Sequence, residues 1–223
     1  MSLFNSDPKI RQVQVRGRKP CIVVDDFLKD PEALVKYAVQ QIDHFSNPDI
    51  NAFPGIELRM PDEFSALLND FFILHIRKLL DVRRSLSMYS RLSMITLQPE
   101  QLAPNQRICH QDYLPDNPQF FYAACVLYLF KNPAMGGTSF FVPKTRQAET
   151  AMAPSEPSTG YITTSTADFE LLGTIPALWN RAIFYDGTIF HSAHVAQPQL
   201  LHPDPTQGRL TMNGFFTCRP AGT

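Results

Sequence analysis

The chain lacks what marks a membrane span, a nucleic-acid surface or a disulfide scaffold. None of its apolar runs approaches the ~18 residues that a bilayer crossing requires, and its first residues carry no apolar signal core. A dominant charge is missing too. Twenty Lys and Arg against 21 Asp and Glu leave a net charge of −1, whereas nucleic-acid and anionic-lipid surfaces need clustered cations. The densest basic stretch, Arg11 to Lys19, is short and is expected as solvated surface. The four cysteines (Cys21, Cys109, Cys125 and Cys218) are scattered without C-x-x-C spacing, three of them in apolar runs where a thiol behaves as a small hydrophobe. The expectation is a cytoplasmic protein with reduced thiols, without nucleic-acid or membrane partners.

What is present is material for a core. Hydrophobic residues make up 44% of the chain and charged residues 18%, proportions of a globular protein. One domain over 1–223 is expected, a helical N-terminal part of about 20–87 packed on a β-rich part at 88–223. Cys21 to Val24 is a short strand run closing at Asp25-Asp26-Phe27-Leu28. Asp30-Pro31-Glu32 then opens a helix to Ile42, with Asp30 as N-cap and Pro31 at its first position. Residues 47–55 hold two prolines and a glycine and predict a loop. Pro61-Asp62-Glu63 opens a second helix whose apolar positions keep helical spacing from Phe64 to Leu79. From about residue 88, short β-type runs follow at 89–97, 106–113, 120–130, 138–142, 182–185, 189–195 and 210–218, the pattern of a sandwich or barrel. Two long polar segments, 144–160 and 196–208, interrupt it, and loops of that length in a compact domain are usually functional or mobile.

The chemistry gathers around His110-Gln111-Asp112. In extended conformation an H-x-D triplet puts its imidazole and its carboxylate on one face, because strand side chains alternate. By itself the triplet also suits a histidine hydrogen-bonded to a neighbouring aspartate. A second histidine from a distant strand would complete a two-histidine, one-carboxylate set suited to non-haem Fe(II). His191 and His194 both qualify by composition, and strand parity makes them alternatives: His191 shares a face with Ile189, Ala193 and Val195, and His194 does not. Arg209, further along, offers a fork for a carboxylate.

The order of the later segments adds a family resemblance. After His110-x-Asp112 come Tyr128-Leu129, then Gly136-Gly137-Thr138-Ser139-Phe140-Phe141, then Asp186-Gly187 leading to Phe190-His191, and last Gly208-Arg209-Leu210-Thr211. With Asp25-Asp26-Phe27-Leu28 before the first helix, this series resembles the Fe(II)/2-oxoglutarate-dependent oxygenases, particularly their prolyl-hydroxylase-like branch. The resemblance covers most of the chain from residue 20. It implies a double-stranded β-helix (jelly roll) below N-terminal helices, with His110, Asp112 and His191 as ligands of Fe(II). It further implies that Arg209 holds the distal carboxylate of 2-oxoglutarate, assisted by the Tyr128 hydroxyl, with Thr211 and Asn213 as further candidates on Arg209's strand face. The implied activity is a dioxygenase that uses O2 to hydroxylate a C–H of a small-molecule or peptidyl substrate, releasing succinate and CO2. The segment 144–160 would be its lid. One departure is the seventeen residues between His191 and Arg209, longer than usual in that branch, which leaves Arg181 and Arg219 as rival anchors. Two other classes share the fold: a non-catalytic jelly-roll binding module, and a different metalloenzyme on a cupin-like barrel.

Overall fold

The structure, a computed structural model, describes residues 3–48, 52–112, 119–156 and 158–221. The chain starts with β1 (Lys9–Val13) and β2 (Cys21–Asp25), the latter being the β-branched run. Helix α1 (Pro31–Gln40) begins where its N-cap signal stands: Asp30 Oδ1 accepts the Ala33 N–H at 3.2 Å, and Pro31 needs no partner for the donor it lacks. Strand β3 (Gly55–Arg59) leads to α2 (Asp62–Phe71), which buries Leu68 and Phe71. The second helix was expected as far as Leu79. It instead loosens into a π turn over Phe72–Ile76 and tightens into a 3-10 turn over Arg77–Leu80, ending at Asp81 with φ at 56°. That irregular path keeps Phe72, Ile76 and Leu80 all fully buried.

The remaining strands are β4 (Val82–Ile95), β5 (Phe121–Tyr128), β6 (Thr138–Pro143), β7 (Phe169–Ile175), β8 (Ala182–Asp186), β9 (Phe190–Ala193) and β10 (Arg209–Pro220). One helical turn, α3 (Arg146–Glu149), lies between β6 and β7. All pairings are antiparallel. One sheet runs β1-β2-β8-β5-β10-β4-β3 and the other β7-β6-β9. The block β8-β5-β10-β4 is one four-stranded wall of a jelly roll, widened by β2 and β1 at one edge and by β3 at the other. The opposite wall is β7-β6-β9, and a single bridge between His110 and His191 stands where its fourth strand belongs. The fold is therefore the expected mainly-β double-stranded β-helix with N-terminal helices.

Strand parity divides the large sheet into two faces. Leu210, Met212 and Phe216 of β10, with Leu92, Met94, Leu127, Phe184 and Ile22 beside them, form the core with α1 and α2. The alternate face carries Tyr128, Ile183, Tyr185 and Val23, which pack on Phe140 of the other sheet and on Ile189 of the turn between β8 and β9. Arg209, Thr211, Asn213 and Phe215 belong to that second face, toward the interior of the roll.

Several strand expectations need correction. Residues 107–112 form no strand; Pro104–Gln106 is a 3-10 turn, and pairing is reduced to the bridge at His110, while Tyr113 lies outside the described residues, as do 49–51 of the expected 47–55 loop. Strand β4 starts at Val82, ahead of the expected 88, because its exposed first half (Arg83, Arg84, Ser85, Leu86) shows no clear alternation. The stretch at 20–87 is not purely helical: β2 and β3 alternate with its helices and join the large sheet. The edge strand β1 is mostly exposed and polar, and β7 carries Gly173 beside a register shift at Phe140/Phe141, so neither displays a buried face in its sequence. No helix among the described residues is long and apolar enough to cross a membrane.

The aromatic stack between helix and sheet is the tightest point of the larger core. Phe216, 1% exposed, lies on Phe72 with ring centroids 4.2 Å apart. Phe216→Ala is expected to cost about 3–5 kcal/mol, seen as a lower urea midpoint with unchanged slope.

Candidate metal centre

The turn from β8 to β9 organises the site. Asp186 Oδ1 accepts from both the N–H and the hydroxyl of Thr188, closing the turn. Residues 110–112 then run antiparallel to it. The His110 N–H donates to the His191 carbonyl at 2.9 Å and the His191 N–H to the His110 carbonyl at 2.8 Å; the Asp112 N–H donates to the Gly187 carbonyl at 2.7 Å. The Gln111 side chain points away and donates to the Thr188 carbonyl at 2.6 Å. This short ladder imposes the alternation that a full strand would have imposed, so His110 and Asp112 project on the same side. A Cβ at Gly187 would be tight, 3.0 Å from the Asp112 carbonyl oxygen, so any side chain there would press on the backbone that carries Asp112.

His110, Asp112 and His191 come together, with one ligand atom from each lying within 4.8 Å of the others. His191 Nε2 stands 3.2 Å from Asp112 Oδ2, and His110 Nε2 3.7 Å from Asp112 Oδ1. The Nδ1–H of His191 donates to the Ile189 carbonyl at 2.8 Å, which sets the tautomer whose Nε2 lone pair faces the cluster. Burial by itself would raise Asp112 and lower His191. Their mutual charge interaction and hydrogen bond overcome it, holding the carboxyl below its ordinary range and the imidazole above its own. His110 is pushed down by the surrounding protein and by His191, 4.5 Å away between ring centroids. Two nitrogens and one carboxylate on one side of an otherwise open cluster are donors suited to a divalent transition metal with free positions.

His194 stands apart from this set. Its Nδ1 lies 2.9 Å from Ser139 Oγ, which also meets Thr174 Oγ1 at 2.8 Å, a chain on the far side of the small sheet.

The trio opens on a cavity of about 280 Å³, lined also by Thr138, Tyr161, Tyr185, Arg209, Thr211 and Asn213. Arg209 is 3% exposed. Its Nε–H donates to the Met135 carbonyl at 3.0 Å and its Nη2–H to that of Gly137 at 2.8 Å. Gly136 and Gly137 let this turn pack against its neighbours: Gly136 has φ of 80° and a Cβ there would lie 1.6 Å from the His194 carbonyl oxygen, while one at Gly137 would lie 1.8 Å from that of Ile175. No carboxylate among the described residues pairs with Arg209, and burial lowers its pKa to about 10. The rival Arg181 is equally buried but fully matched, with Nε and Nη2 on the two oxygens of Asp25 at 2.5 and 3.1 Å and Nη1 on the Pro176 carbonyl. Arg219 is exposed near the end of β10. The Asp25-Asp26-Phe27-Leu28 motif thus has a structural part: Asp25 holds Arg181, and Leu28 exchanges two hydrogen bonds with the Asn180 side chain.

Tyr128 sits behind the cavity wall. Its hydroxyl meets Thr138 Oγ1 at 2.9 Å, and Thr138 is the group that reaches the cavity. Thr211 lines the cavity and donates to the Ser93 carbonyl at 3.2 Å; Asn213 lines it too, bonded to Ser93 Oγ. Arg91, Tyr161 and Tyr185 were not anticipated. Tyr185 stacks edge-on against His191 at 4.8 Å, and the parity of β8 with Ile183 would have placed it on the interior face. Tyr161 comes from a polar loop with no periodic signal, and Arg91 is identified only by its pairing with Asn213.

A family model described as "Family of unknown function (DUF6445)" matches residues 6–216. The chain belongs to the DUF6445 family. No curated protein matches it. Among solved structures it is similar to SnoN, the non-haem alpha-ketoglutarate-dependent epimerase from nogalamycin biosynthesis, with a TM-score of 0.53 and 14% identity over 92% of this chain and 83% of that one. A second SnoN structure, in complex with Fe3+, alpha-ketoglutarate and nogalamycin RO, gives 0.50 and 14% over 92% and 84%. HygX from Streptomyces hygroscopicus with nickel and 2-oxoglutarate bound gives 0.48 and 12% over 91% and 83%. The likeness is one of fold: this DUF6445 chain shares the jelly roll of SnoN.

The coupling of Asp112 and His191 can be measured on the metal-free protein. Its stabilisation is complete from the ordinary carboxylate range up to the ordinary imidazole range, about pH 4 to 6.5. It is lost as pH falls through the depressed Asp112 pKa or rises through the raised His191 pKa. Asp112→Asn leaves burial acting on His191 with no opposing charge from Asp112, so the His191 pKa should drop below about 6.5 in an NMR titration. An unchanged His191 would show that the Ile189 hydrogen bond, and not Asp112, holds it up.

Proposed function

We propose that this chain is an Fe(II)- and 2-oxoglutarate-dependent dioxygenase that hydroxylates a C–H bond of a small-molecule or peptidyl substrate, of the prolyl-hydroxylase-like kind its motif order resembles. One observation carries the proposal: a single cavity holds a two-histidine, one-carboxylate set and a buried arginine with no carboxylate partner among the described residues. A buried cation met by carbonyl oxygens and an aromatic face alone is costly unless an anion joins it, and the distal carboxylate of 2-oxoglutarate is such an anion. The SnoN complex with Fe3+ and alpha-ketoglutarate, on the same fold, supports the choice of co-substrate.

In this proposal His110, Asp112 and His191 hold the metal. Bound Fe(II) with 2-oxoglutarate supplies O2 activation, with oxidative decarboxylation to succinate and CO2. The Ile189 carbonyl keeps His191 Nε2 presented to the metal, and the Gly187 carbonyl fixes the Asp112 backbone. Arg209 takes the distal carboxylate, with the Thr138 and Thr211 hydroxyls beside it and Tyr128 steadying Thr138 from behind. A jelly-roll binding module needs neither the metal set nor the unpaired guanidinium, and a hydrolytic metalloenzyme has no use for the second. The four described thiols are free and buried, in keeping with work in the reducing cytoplasm.

Anaerobic addition of Fe(II) and 2-oxoglutarate should produce a weak visible charge-transfer band, abolished by His110→Ala or Asp112→Ala. Absence of a band with the intact protein would overturn the co-substrate assignment. Arg209→Ala should weaken 2-oxoglutarate binding by roughly 30-fold or more, the loss expected for a desolvated charge-assisted pair, with metal content unchanged. Loss of the metal instead would make Arg209 a structural residue.

A further inference from the structure

Arg91 is the cavity's second arginine. It lies on β4 opposite Asn213 of β10 and lines the same cavity as His110, Asp112 and Arg209. Its guanidinium rests over the Phe215 ring, 4.6 Å from the centroid, and its Nη1–H donates to Glu57 Oε2 at 2.9 Å. The opposite edge is unused. Nε is shut off from solvent with no partner, the only buried side-chain nitrogen or oxygen of the described residues in that state. Nη2 has no partner among the described residues either. Nε and Nη2 are the parallel donors by which arginine grips a carboxylate bidentately, and a buried donor left unmatched favours any ligand that completes it.

The two arginines cannot serve one small diacid. Asn213 stands four residues beyond Arg209 on β10, about 13 Å along the strand at ~3.3 Å per residue. The heads also lean apart, Arg209 toward the Gly137 carbonyl and Arg91 over Phe215. In 2-oxoglutarate the terminal carbons are joined by four C–C bonds of about 1.5 Å, at most roughly 6 Å end to end. If Arg209 holds the co-substrate, Arg91 is left for the other substrate.

We propose that Arg91 is the substrate-recognition residue, and that the molecule oxidised carries a carboxylate gripped by the Nε–Nη2 edge of Arg91. This rests on the co-substrate assignment of Arg209. Glu57 holds the guanidinium in place from its Nη1 side and balances its charge while the site is free of substrate. Because Nε is shut off from solvent, the grip requires the Arg91 side chain to turn its Nε–Nη2 edge toward the cavity it lines, and a substrate held there extends its carbon chain into the space that the metal-binding trio faces.

The test is NMR of the arginine Nε–H groups in Zn(II)-loaded protein, with the two signals assigned through Arg91→Lys and Arg209→Lys. 2-Oxoglutarate should move the Arg209 signal and leave that of Arg91 in place. With 2-oxoglutarate saturating, acetate, propionate and butyrate should then shift the Arg91 signal, and the matching amides should not. Arg91→Lys keeps a cation facing Glu57 but removes the fork, so it should weaken propionate binding at least five-fold by saturation transfer while 2-oxoglutarate affinity holds. The proposal is overturned if 2-oxoglutarate shifts Arg91, if amides act like carboxylates, if no carboxylate moves Arg91, or if Arg91→Lys binds propionate as well as the natural residue does. If 2-oxoglutarate leaves Arg209 unmoved, the co-substrate assignment itself fails and this proposal with it.

Discussion

The geometry of the candidate metal centre depends on one short exchange of main-chain hydrogen bonds, between His110 and His191. Each donates its N–H to the carbonyl of the other, and the Asp112 N–H continues the pairing onto Gly187. Two residues far apart in the chain are thereby locked at adjacent positions, and the same ladder decides which side each side chain takes. Beyond Asp112 no strand continues this pairing among the described residues.

A second constraint is the contrast between two buried arginines. Arg181 and Arg209 are both removed from water, but Arg181 is neutralised by Asp25 while Arg209 meets carbonyl oxygens and the face of Phe130, with no carboxylate among the described residues. Desolvation acts on both, so only the unmatched one is left to attract an anion. The Gly136-Gly137 turn, packed closely on the His194 and Ile175 carbonyls, supplies the backbone oxygens that orient this guanidinium without neutralising it. Arg91 falls between these cases: Glu57 balances its charge, yet half of its fork is unsatisfied.

Much of this was legible in the residues. The N-cap at Asp30, the parity of His110 with Asp112 and the status of His191 and His194 as alternatives follow from local rules, since side-chain direction in extended chain depends only on neighbouring dihedrals. The strand at 106–113 was overestimated for a related reason: its residues have strand character, but Pro104 and the turn around it leave room for one bridge only. The resemblance puts the Tyr128 hydroxyl at the carboxylate site, whereas that hydroxyl is taken by Thr138, a partner ten residues on across the β5–β6 connection that alternation cannot reveal. Tyr161 and Arg91 carry no such signal, because their place in the cavity depends on which strand or loop lies across from them.

The sequence by itself determined a sandwich or barrel of short strands, which the family resemblance narrowed to a jelly roll, together with the face on which each candidate ligand projects and the pool of histidines, carboxylates and arginines from which a site could be built. Periodicity and capping are local, and local interactions are written in adjacent residues. Only the tertiary structure decided that Arg181 is matched and Arg209 is not, that Thr138 and not Tyr128 reaches the cavity, and that Arg91 enters it. Those outcomes depend on burial and on partners brought from distant segments, and the cost of desolvating a charge is set only once the chain has closed around it.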